Sequence, residues 1–214
     1  MTLTRPQLRP RPRRAAEIIA AARVLLETEG RAALTMRRLG EALGIRAPSL
    51  YKHVPGKRAV EIALIEIGLA EMGEALHRAV ADPQAPGTGV AGRVPEAPSR
   101  TGVAGRVLAT YRAESLARPN LYRLATTGPL PRADLTPGLE DWAGEPWFIA
   151  AGDPFLAQAM WSFAHGMVIL ELDQRYPEGS ELDRTWQSGA EAFALAAAGT
   201  AGDDRRPAPR APGE

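Results

Sequence analysis

The apolar residues of this chain recur at helical spacing along most of its length. Ile18, Ala22 and Leu25 fall on one side of a helix that starts near Arg14 and ends before Gly30, because residues three or four positions apart share a helix face. No segment has the strict alternation of apolar and polar residues that is typical of a half-buried strand. The pattern therefore predicts an all-α fold.

Two short helices follow the first one, and turn-forming residues mark their ends. Thr35 can cap the amino end of one helix, Gly44 can supply the positive φ needed to leave it, and Pro48 suits the first turn of the next. A long amphipathic helix then runs from Lys57 to about Ala81. This order is typical of a helix-turn-helix, whose second helix enters the DNA major groove. The spacing alone leaves a plain helical hairpin with a solvated face as an equal alternative.

Segments rich in proline, glycine or charge lie at both ends of the chain and in its middle. Residues 1–13 are a basic, proline-punctuated arm that we expect to be disordered, and we expect the same of the tail at residues 201–214. Residues 82–100 predict a flexible loop, which holds the first of two copies of Thr-Gly-Val-Ala-Gly-Arg-Val. A second copy 13 residues further on indicates a local duplication, since a solenoid needs at least three repeats.

Two apolar helices close the chain after an aromatic linker between residues 137 and 152. Asp153 and Ser180 are positioned to cap their amino ends. The first helix is apolar nearly all round, which indicates that it is covered on both sides. The second carries one stripe of apolar and small residues at spacings of three and four. Two such helices from each chain can form a dimer interface, and an ordinary monomeric core is the alternative. The candidate interface residues are Phe155, Ala159, Leu170, Leu182, Trp186, Gly189 and Phe193.

Charge divides the chain into two parts, which the net charge of +1 conceals. Residues 1–58 hold 13 Lys and Arg against 4 Asp and Glu, whereas residues 59–214 hold 13 against 21. The basic part suits a polyanion partner. The chain has no cysteine, which excludes disulfides, thiolate metal sites and cysteine nucleophiles. Its apolar stretches are shorter than the roughly 20 residues of a membrane span, so the sequence predicts a soluble, cytoplasmic protein with no membrane partner.

The segment from Leu34 to Lys57, LTMRRLGEALGIRAPSLYKHVPGK, resembles the DNA-binding signature of TetR-family transcriptional regulators. The resemblance covers about 50 residues, including the first helix, and its Pro-Ser-Leu-Tyr-Lys-His core is specific. It implies a homodimer whose third helices read adjacent half-sites of a palindromic double-stranded DNA operator. It also implies contacts with the DNA backbone or groove from Thr35, Arg37, Arg46, Ala47, Pro48, Ser49, Tyr51, Lys52, His53 and Lys57.

A second resemblance concerns the carboxy-terminal half. The run from Trp161 to Leu172 follows Pro-Asn-Leu-Tyr-Arg-Leu at residues 119–124, and it resembles the carboxy-terminal domain of a TetR subgroup with a tryptophan, a histidine and a glycine on its penultimate helix. The resemblance implies a domain that binds a small-molecule effector. An apolar pocket with few polar groups is the usual site for such a ligand. For each candidate pocket residue the core is the favoured alternative; the candidates are Tyr111, Trp142, Trp147, Phe148, Met160, Trp161, Phe163 and His165.

Catalytic motifs are missing from the sequence. It has no glycine-rich phosphate loop, no Gly-x-Ser-x-Gly elbow and no His-Glu-x-x-His helix. The sequence therefore predicts no enzymatic activity, no metal and no cofactor.

Together, the patterns and the resemblance predict two domains. Residues 14–57 are expected to form a helix-turn-helix DNA-binding domain, and residues 58–200 a helical domain for ligand binding and dimerisation. The expected function is that of a dimeric repressor that a small molecule releases from its operator. A ligand-independent DNA-binding or architectural dimer is the second hypothesis, and a helical enzyme is the third.

Overall fold

The computed structural model describes residues 3–82 and 102–203, with side chains up to residue 199. Within these residues every regular element is helical, which confirms the all-α prediction. The α-helices are α1 Arg13–Glu29, α2 Met36–Ala42, α3 Ala47–Leu50, α4 Lys57–Ala81, α5 Gly102–Ala117, α6 Pro119–Thr126, α7 Leu139–Ala151, α8 Pro154–Leu172 and α9 Leu182–Asp203. Short 3-10 turns lie at Arg31–Ala33 and Arg132–Asp134. The predicted loop at 82–100 and tail at 201–214 lie outside the described residues, apart from Asp82 and the end of α9.

The chain divides into two compact units, neither of which is continuous in sequence. One comprises Met1–His77 and Tyr111–Glu145, and the other comprises Arg78–Thr110 and Pro146–Glu214. The helices α4, α5 and α7 therefore contribute residues to both units. The sequence predicts a domain boundary near residue 57, where the helix-turn-helix segment ends. The two compact units are divided at other positions.

The helix ends follow the local signals in the sequence. Thr35 Oγ1 accepts a hydrogen bond from the Arg38 N–H at 3.1 Å, and Gly44 has a φ of 65°. Asp153 Oδ1 accepts from the Leu156 N–H at 2.8 Å at the start of α8. These caps satisfy N–H groups that have no partner within their helix.

The first unit has a core to which each of its first four helices contributes. Leu26 of α1, Leu39 of α2, Leu50 of α3 and Leu64 of α4 are all at most 1% exposed. Burying a leucine side chain contributes about 1.5–3 kcal/mol. The short helices α2 and α3 are therefore held by this shared core rather than by their own helical propensity, which is marginal at such lengths.

Two local predictions near the carboxy terminus differ from the structure. The aromatic linker predicted between residues 137 and 152 is the helix α7, whose buried Trp142 and Trp147 supply the packing. Ser180 donates its hydroxyl hydrogen bond to the Pro177 carbonyl at 2.7 Å instead of capping a helix, and α9 begins two residues later.

The basic arm also differs from its prediction. Its composition predicts disorder for residues 1–13, whereas residues 3–12 lie along α4 and α7 with specific contacts. The Leu3 N–H donates to the Glu145 carboxylate at 2.8 Å, and an Arg11 N–H donates to Glu66 at 2.6 Å. Both acceptors are distant in sequence, so local composition carries no sign of them.

A proline inside α7 leaves a carbonyl without its helical partner, and a histidine from α4 takes its place. Pro146 has no N–H to donate to the carbonyl of Trp142, four residues earlier. His77 Nε2 donates to that carbonyl at 2.9 Å, and its ring stacks on the Trp142 indole with centroids 4.7 Å apart. Gly73 allows this approach, since a Cβ there would lie 2.6 Å from the indole.

We expect His77→Ala to lower the free energy of unfolding by about 2 kcal/mol, because it removes a stacking contact and leaves the Trp142 carbonyl without a donor. In a Pro146→Ala background the residue at 146 regains an N–H for that carbonyl, so His77→Ala should be less damaging there. Urea unfolding of the four proteins measures this coupling as a double-mutant cycle. Strictly additive effects of the two substitutions would contradict the conclusion that His77 replaces the missing hydrogen bond to the Trp142 carbonyl.

Candidate nucleic-acid interface

The angle between α2 and α3 depends on a backbone approach that only glycine permits. A Cβ on Gly40 would lie 2.8 Å from the Ile45 carbonyl oxygen and 3.1 Å from the Ala47 nitrogen. The Ile45 N–H donates to the Gly40 carbonyl at 2.9 Å, which closes the turn. Gly40 and Gly44 thus fix the direction in which α3 leaves α2.

α3 is short, and its backbone continues as a hydrogen-bonded turn. The His53 and Val54 N–H groups both donate to the Leu50 carbonyl, at 2.9 and 3.0 Å. Leu50 and Val54 are buried in the core of the unit. Because these two side chains point inward, Tyr51, Lys52 and His53 between them point outward, and Tyr51 is 56% exposed.

Cations of the candidate interface have weak partners or none. Arg46 and Lys52 form no ion pair within the described residues, and both are exposed. Arg37 pairs with Glu41 at 3.0 Å, but its side chain is 89% exposed, and a pair of this kind contributes little to stability. Lys57 Nζ lies 3.9 Å from Glu61. These groups can therefore exchange their partners for phosphates.

The ten residues predicted to contact DNA lie on one continuous segment of the first unit, residues 35–57. Two of them, Ala47 and Ser49, are half-buried. The Thr35 oxygen is used as a helix cap, which leaves its O–H free to donate to a phosphate. The exposed members are Thr35, Arg37, Arg46, Pro48, Tyr51, Lys52, His53 and Lys57.

Two ion pairs that join α2 and α4 to distant segments have no signal in the sequence. Arg38 donates to both oxygens of Glu29 on α1, at 2.5 and 3.0 Å, and this guanidinium lowers the pKa of the Glu29 carboxyl. Arg58, at the start of α4, donates to Asp134 at 2.8 Å. Both pairs join residues that are not neighbours on one helix, so the spacing rule for surface pairs does not reveal them.

The candidate effector residues divide between the two units. In the first unit, Trp142 packs on His77, and the Tyr111 and Tyr122 hydroxyls share a hydrogen bond of 3.0 Å. Both tyrosines are buried, and this burial raises the pKa of Tyr122. The second unit holds Trp147, Phe148, Met160, Trp161, Phe163 and His165.

Within the second unit these side chains differ in their surroundings. Met160 is fully buried, whereas Phe148 is 53% exposed. Trp161 stacks on His165 with ring centroids 5.6 Å apart, and burial lowers the pKa of His165. Phe163 packs against Trp186 and Phe193 of α9. The Trp161–His165 pair is thus an aromatic surface with a polar group that is mainly neutral at pH 7.

The candidate dimer residues differ in exposure between α8 and α9. Phe155, Ala159 and Leu170 of α8 are exposed. On α9 the candidate stripe faces α8 within the unit. There Trp186 is buried and donates to Glu171 at 3.3 Å, Gly189 contacts the Phe163 ring, Phe193 packs on the same ring, and Leu182 is half-buried.

Residues 18–64 match the protein family described as bacterial regulatory proteins, tetR family. A 54-residue stretch is 48% identical to the tetracycline repressor protein class A from transposon 1721 of Escherichia coli. That stretch is 25% of this chain and 25% of the repressor, so the chain matches about a quarter of this curated relative. The segment that carries α2 and α3 is therefore similar to a TetR-family amino-terminal domain.

Solved structures resemble the chain over most of its length. A protein of unknown function from Rhodococcus sp. RHA1 has a TM-score of 0.67 at 18% identity, over 85% of this chain and 93% of that one. A TetR variant from Acinetobacter baumannii AYE, solved in complex with minocycline, has a TM-score of 0.52 at 22% identity, over 84% of this chain and 93% of that one. These likenesses show the fold: a helix-turn-helix followed by a helical carboxy-terminal domain.

Gly40→Ala should lower the free energy of unfolding by about 1–3 kcal/mol, because the new methyl group meets the backbone of the α2–α3 turn. Gly144→Ala is the matched control, since a Cβ at that helical position meets nothing within 4 Å, and it should stabilise α7 slightly. Urea unfolding midpoints compare the two. Equal midpoints would mean that the turn relaxes without strain.

Proposed function

We propose that the chain is a dimeric transcriptional regulator that represses from a palindromic operator and is released by a small-molecule effector. The observation that carries the proposal is the outward cluster formed by Arg46, Tyr51, Lys52 and His53, which Leu50 and Val54 anchor from beneath. Its chemistry suits duplex DNA. Lys52 and Arg46 supply charge for phosphates, while Tyr51 and His53 supply donors and rings at the depth of a groove. The tetracycline repressor that matches this segment supports the same function.

The proposed dimer interface is the outer face of α8 and α9. On α8 this face repeats every three or four residues as Phe155, Ala159, Ser162, Gly166 and Leu170. On α9 it repeats in the same way as Thr185, Ser188, Ala192, Leu195 and Gly199.

Exposure and residue size favour a second copy as the occupant of this face. Phe155 is 80% exposed and Leu195 is 77% exposed, and apolar side chains so exposed favour association. The small residues between them allow close approach of helices, and a Cβ on Gly166 would meet nothing within 4 Å. Compared with the interface that the sequence predicts, the proposed face of α9 is turned by about one residue, because Trp186 and Gly189 already pack on α8.

A membrane is the alternative for α8, which is long and apolar enough to cross a bilayer by length and composition alone. Its inner face is occupied, because Met160, Ala164 and Val168 are fully buried within the unit. Ser162 lies on its outer face. A helix with one face already packed in protein and a polar group on the other suits a protein partner better than lipid.

Effector release requires that the ligand bind one conformation better than another. Equal affinity for the two conformations shifts no equilibrium, however tight the binding. The aromatic residues of the second unit, above all Trp161 and His165, are the proposed contacts for an effector with apolar rings and one polar group. The structure of a fold relative with minocycline supports a small-molecule site in this fold. A ligand-independent DNA-binding dimer is the second candidate, and it predicts operator affinity that no small molecule changes.

Tyr51→Ala should weaken operator binding by about 10- to 100-fold and leave the dimer intact, because it removes a groove contact from an exposed side chain. Lys52→Gln should instead weaken binding to every sequence and reduce the salt dependence of the affinity by about 0.9 per phosphate lost. Arg184→Gln, at an exposed arginine on α9, is the control. Footprints on the DNA flanking the gene across a salt series measure these effects. Wild-type binding without a protected palindrome would count against the proposal.

Leu195→Glu should convert the dimer to a monomer, because it places a charge in the middle of the proposed interface. Val24→Glu is the matched control: Val24 is a 64% exposed apolar residue on α1 in the first unit, and its replacement should leave the dimer intact. Light scattering after size exclusion gives the mass of each variant. If both variants dissociate, or if neither does, the result contradicts the proposal that the α8–α9 face is the dimer interface.

A further inference from the structure

The amino-terminal end of the basic arm is bound to α4 and α7. The Leu3 N–H donates to both oxygens of Glu145, at 2.8 and 3.0 Å. Arg5 pairs with Glu74 at 3.3 Å, and its guanidinium lies over the Trp142 ring at 5.8 Å from the centroid. These contacts attach the first residues of the arm to α7 and to α4.

The middle of the arm continues along the same two helices. Leu8 packs against the small apolar cluster that includes Ala70 and Leu139. Arg9 donates to the Leu135 carbonyl at 3.3 Å, just before α7. The arm therefore follows α4 and α7 over most of its length before α1 begins at Arg13.

Arg11 closes the arm onto a buried carboxylate. Glu66 on α4 is 2% exposed. One of its oxygens accepts from the backbone N–H and the hydroxyl of Thr136, at 2.8 and 2.6 Å, and the other accepts from Arg11 at 2.6 Å. Within the described residues Arg11 is the cation paired with Glu66. A buried carboxylate needs such partners, since burying an unpaired charge is strongly unfavourable.

We propose that residues 3–12 are an intramolecular strap, and that the Arg11–Glu66 pair positions α4 for DNA reading while the arginines of the strap serve the protein and not the DNA. The strap joins α4, the turn at Thr136 and α7. α4 in turn packs through Val60 and Leu64 on the core that holds α3. Arg11 is therefore a positioning residue for the outward cluster that flanks α3. This inference rests on the proposed DNA-binding function.

The strap and a DNA-reading arm predict different effects for the same substitution. A flexible arginine arm that enters the minor groove loses a phosphate or groove contact when an arginine is replaced, so the salt dependence of binding falls. A strap loses an internal contact, so α4 samples more positions and the binding-competent fraction falls. Operator affinity then decreases with an unchanged salt dependence.

The test uses the full-length protein with Arg11→Gln, Arg11→Lys and Lys52→Gln. Arg11→Gln should weaken operator binding fivefold or more, the lower end of the range of about 5- to 150-fold for coupled sites, with the salt slope of the wild type. Lys52→Gln should reduce that slope by about 0.9. Arg11→Lys keeps a charged donor for the single contact with Glu66 and should recover most of the affinity.

Urea unfolding of the same proteins provides a readout that needs no DNA. Arg11→Gln should lower the unfolding midpoint in the wild-type background and have little effect in a Glu66→Gln background, where no buried carboxylate needs the cation. Arg13→Gln is the matched control, because Arg13 is 94% exposed and pairs with Glu17 on its own helix. It should leave the midpoint nearly unchanged.

The outcomes separate the strap from the proposed function. A reduced salt slope in Arg11→Gln overturns the strap whatever the stability, because the arm then contacts DNA. A lower midpoint with unchanged affinity overturns the positioning role, and an unchanged midpoint overturns the Arg11–Glu66 contact. If the wild type binds no operator, the proposed function fails, and with it the positioning role, while the unfolding cycle still decides whether Arg11 and Glu66 are coupled.

Discussion

The carboxylate of Glu66 is the constraint around which the first unit is assembled. It lies near the middle of α4 with 2% exposure, and its partners come from the arm and from the turn before α7. Because a buried carboxylate is stable only when its oxygens are satisfied, these segments must lie against α4 whenever the unit is folded. A leucine at position 66 would also pack, but it would not specify where Arg11 and Thr136 lie. The hydrogen bonds of Glu66 thus fix the positions of Arg11 and Thr136 as well as stabilising the unit.

The helix-turn-helix could be predicted from the sequence because its determinants are local. Thr35 caps α2, Gly44 adopts the positive φ that ends it, and Pro48 lies in the first turn of α3. Each of these effects involves only a few adjacent residues. The direction of Tyr51 follows in the same way from its inward neighbours Leu50 and Val54. The family resemblance rests on the same segment, which is why the domain match and the local physics agree.

Residues whose partners are distant in sequence could not be assigned in this way. Glu74 and His77 are three residues apart, which by itself is typical of a pair on the surface of a helix. In the structure, the His77 ring packs on Trp142 and donates to a carbonyl that Pro146 has freed. The stripe through Trp186 on α9 has the spacing of an interface, but spacing does not say whether the helix that covers it belongs to the same chain. In both cases periodicity identifies the face, and only the fold identifies its neighbour.

The fold also determines which basic residues near the amino terminus are available to a polyanion. Many arginines in this region are bound by acidic residues that lie later in the sequence, such as Glu66, Glu71 and Asp134, which pair with Arg11, Arg23 and Arg58. The charge excess of the first 58 residues is thus largely neutralised within the folded unit. Arg46 is at the amino end of α3, and Lys52 lies between Tyr51 and His53 in the sequence; neither cation has an ion-pair partner among the described residues. Positive charge that can meet a polyanion is therefore concentrated around α3, so the electrostatics favour this segment over the arginine-rich arm as the DNA-binding surface.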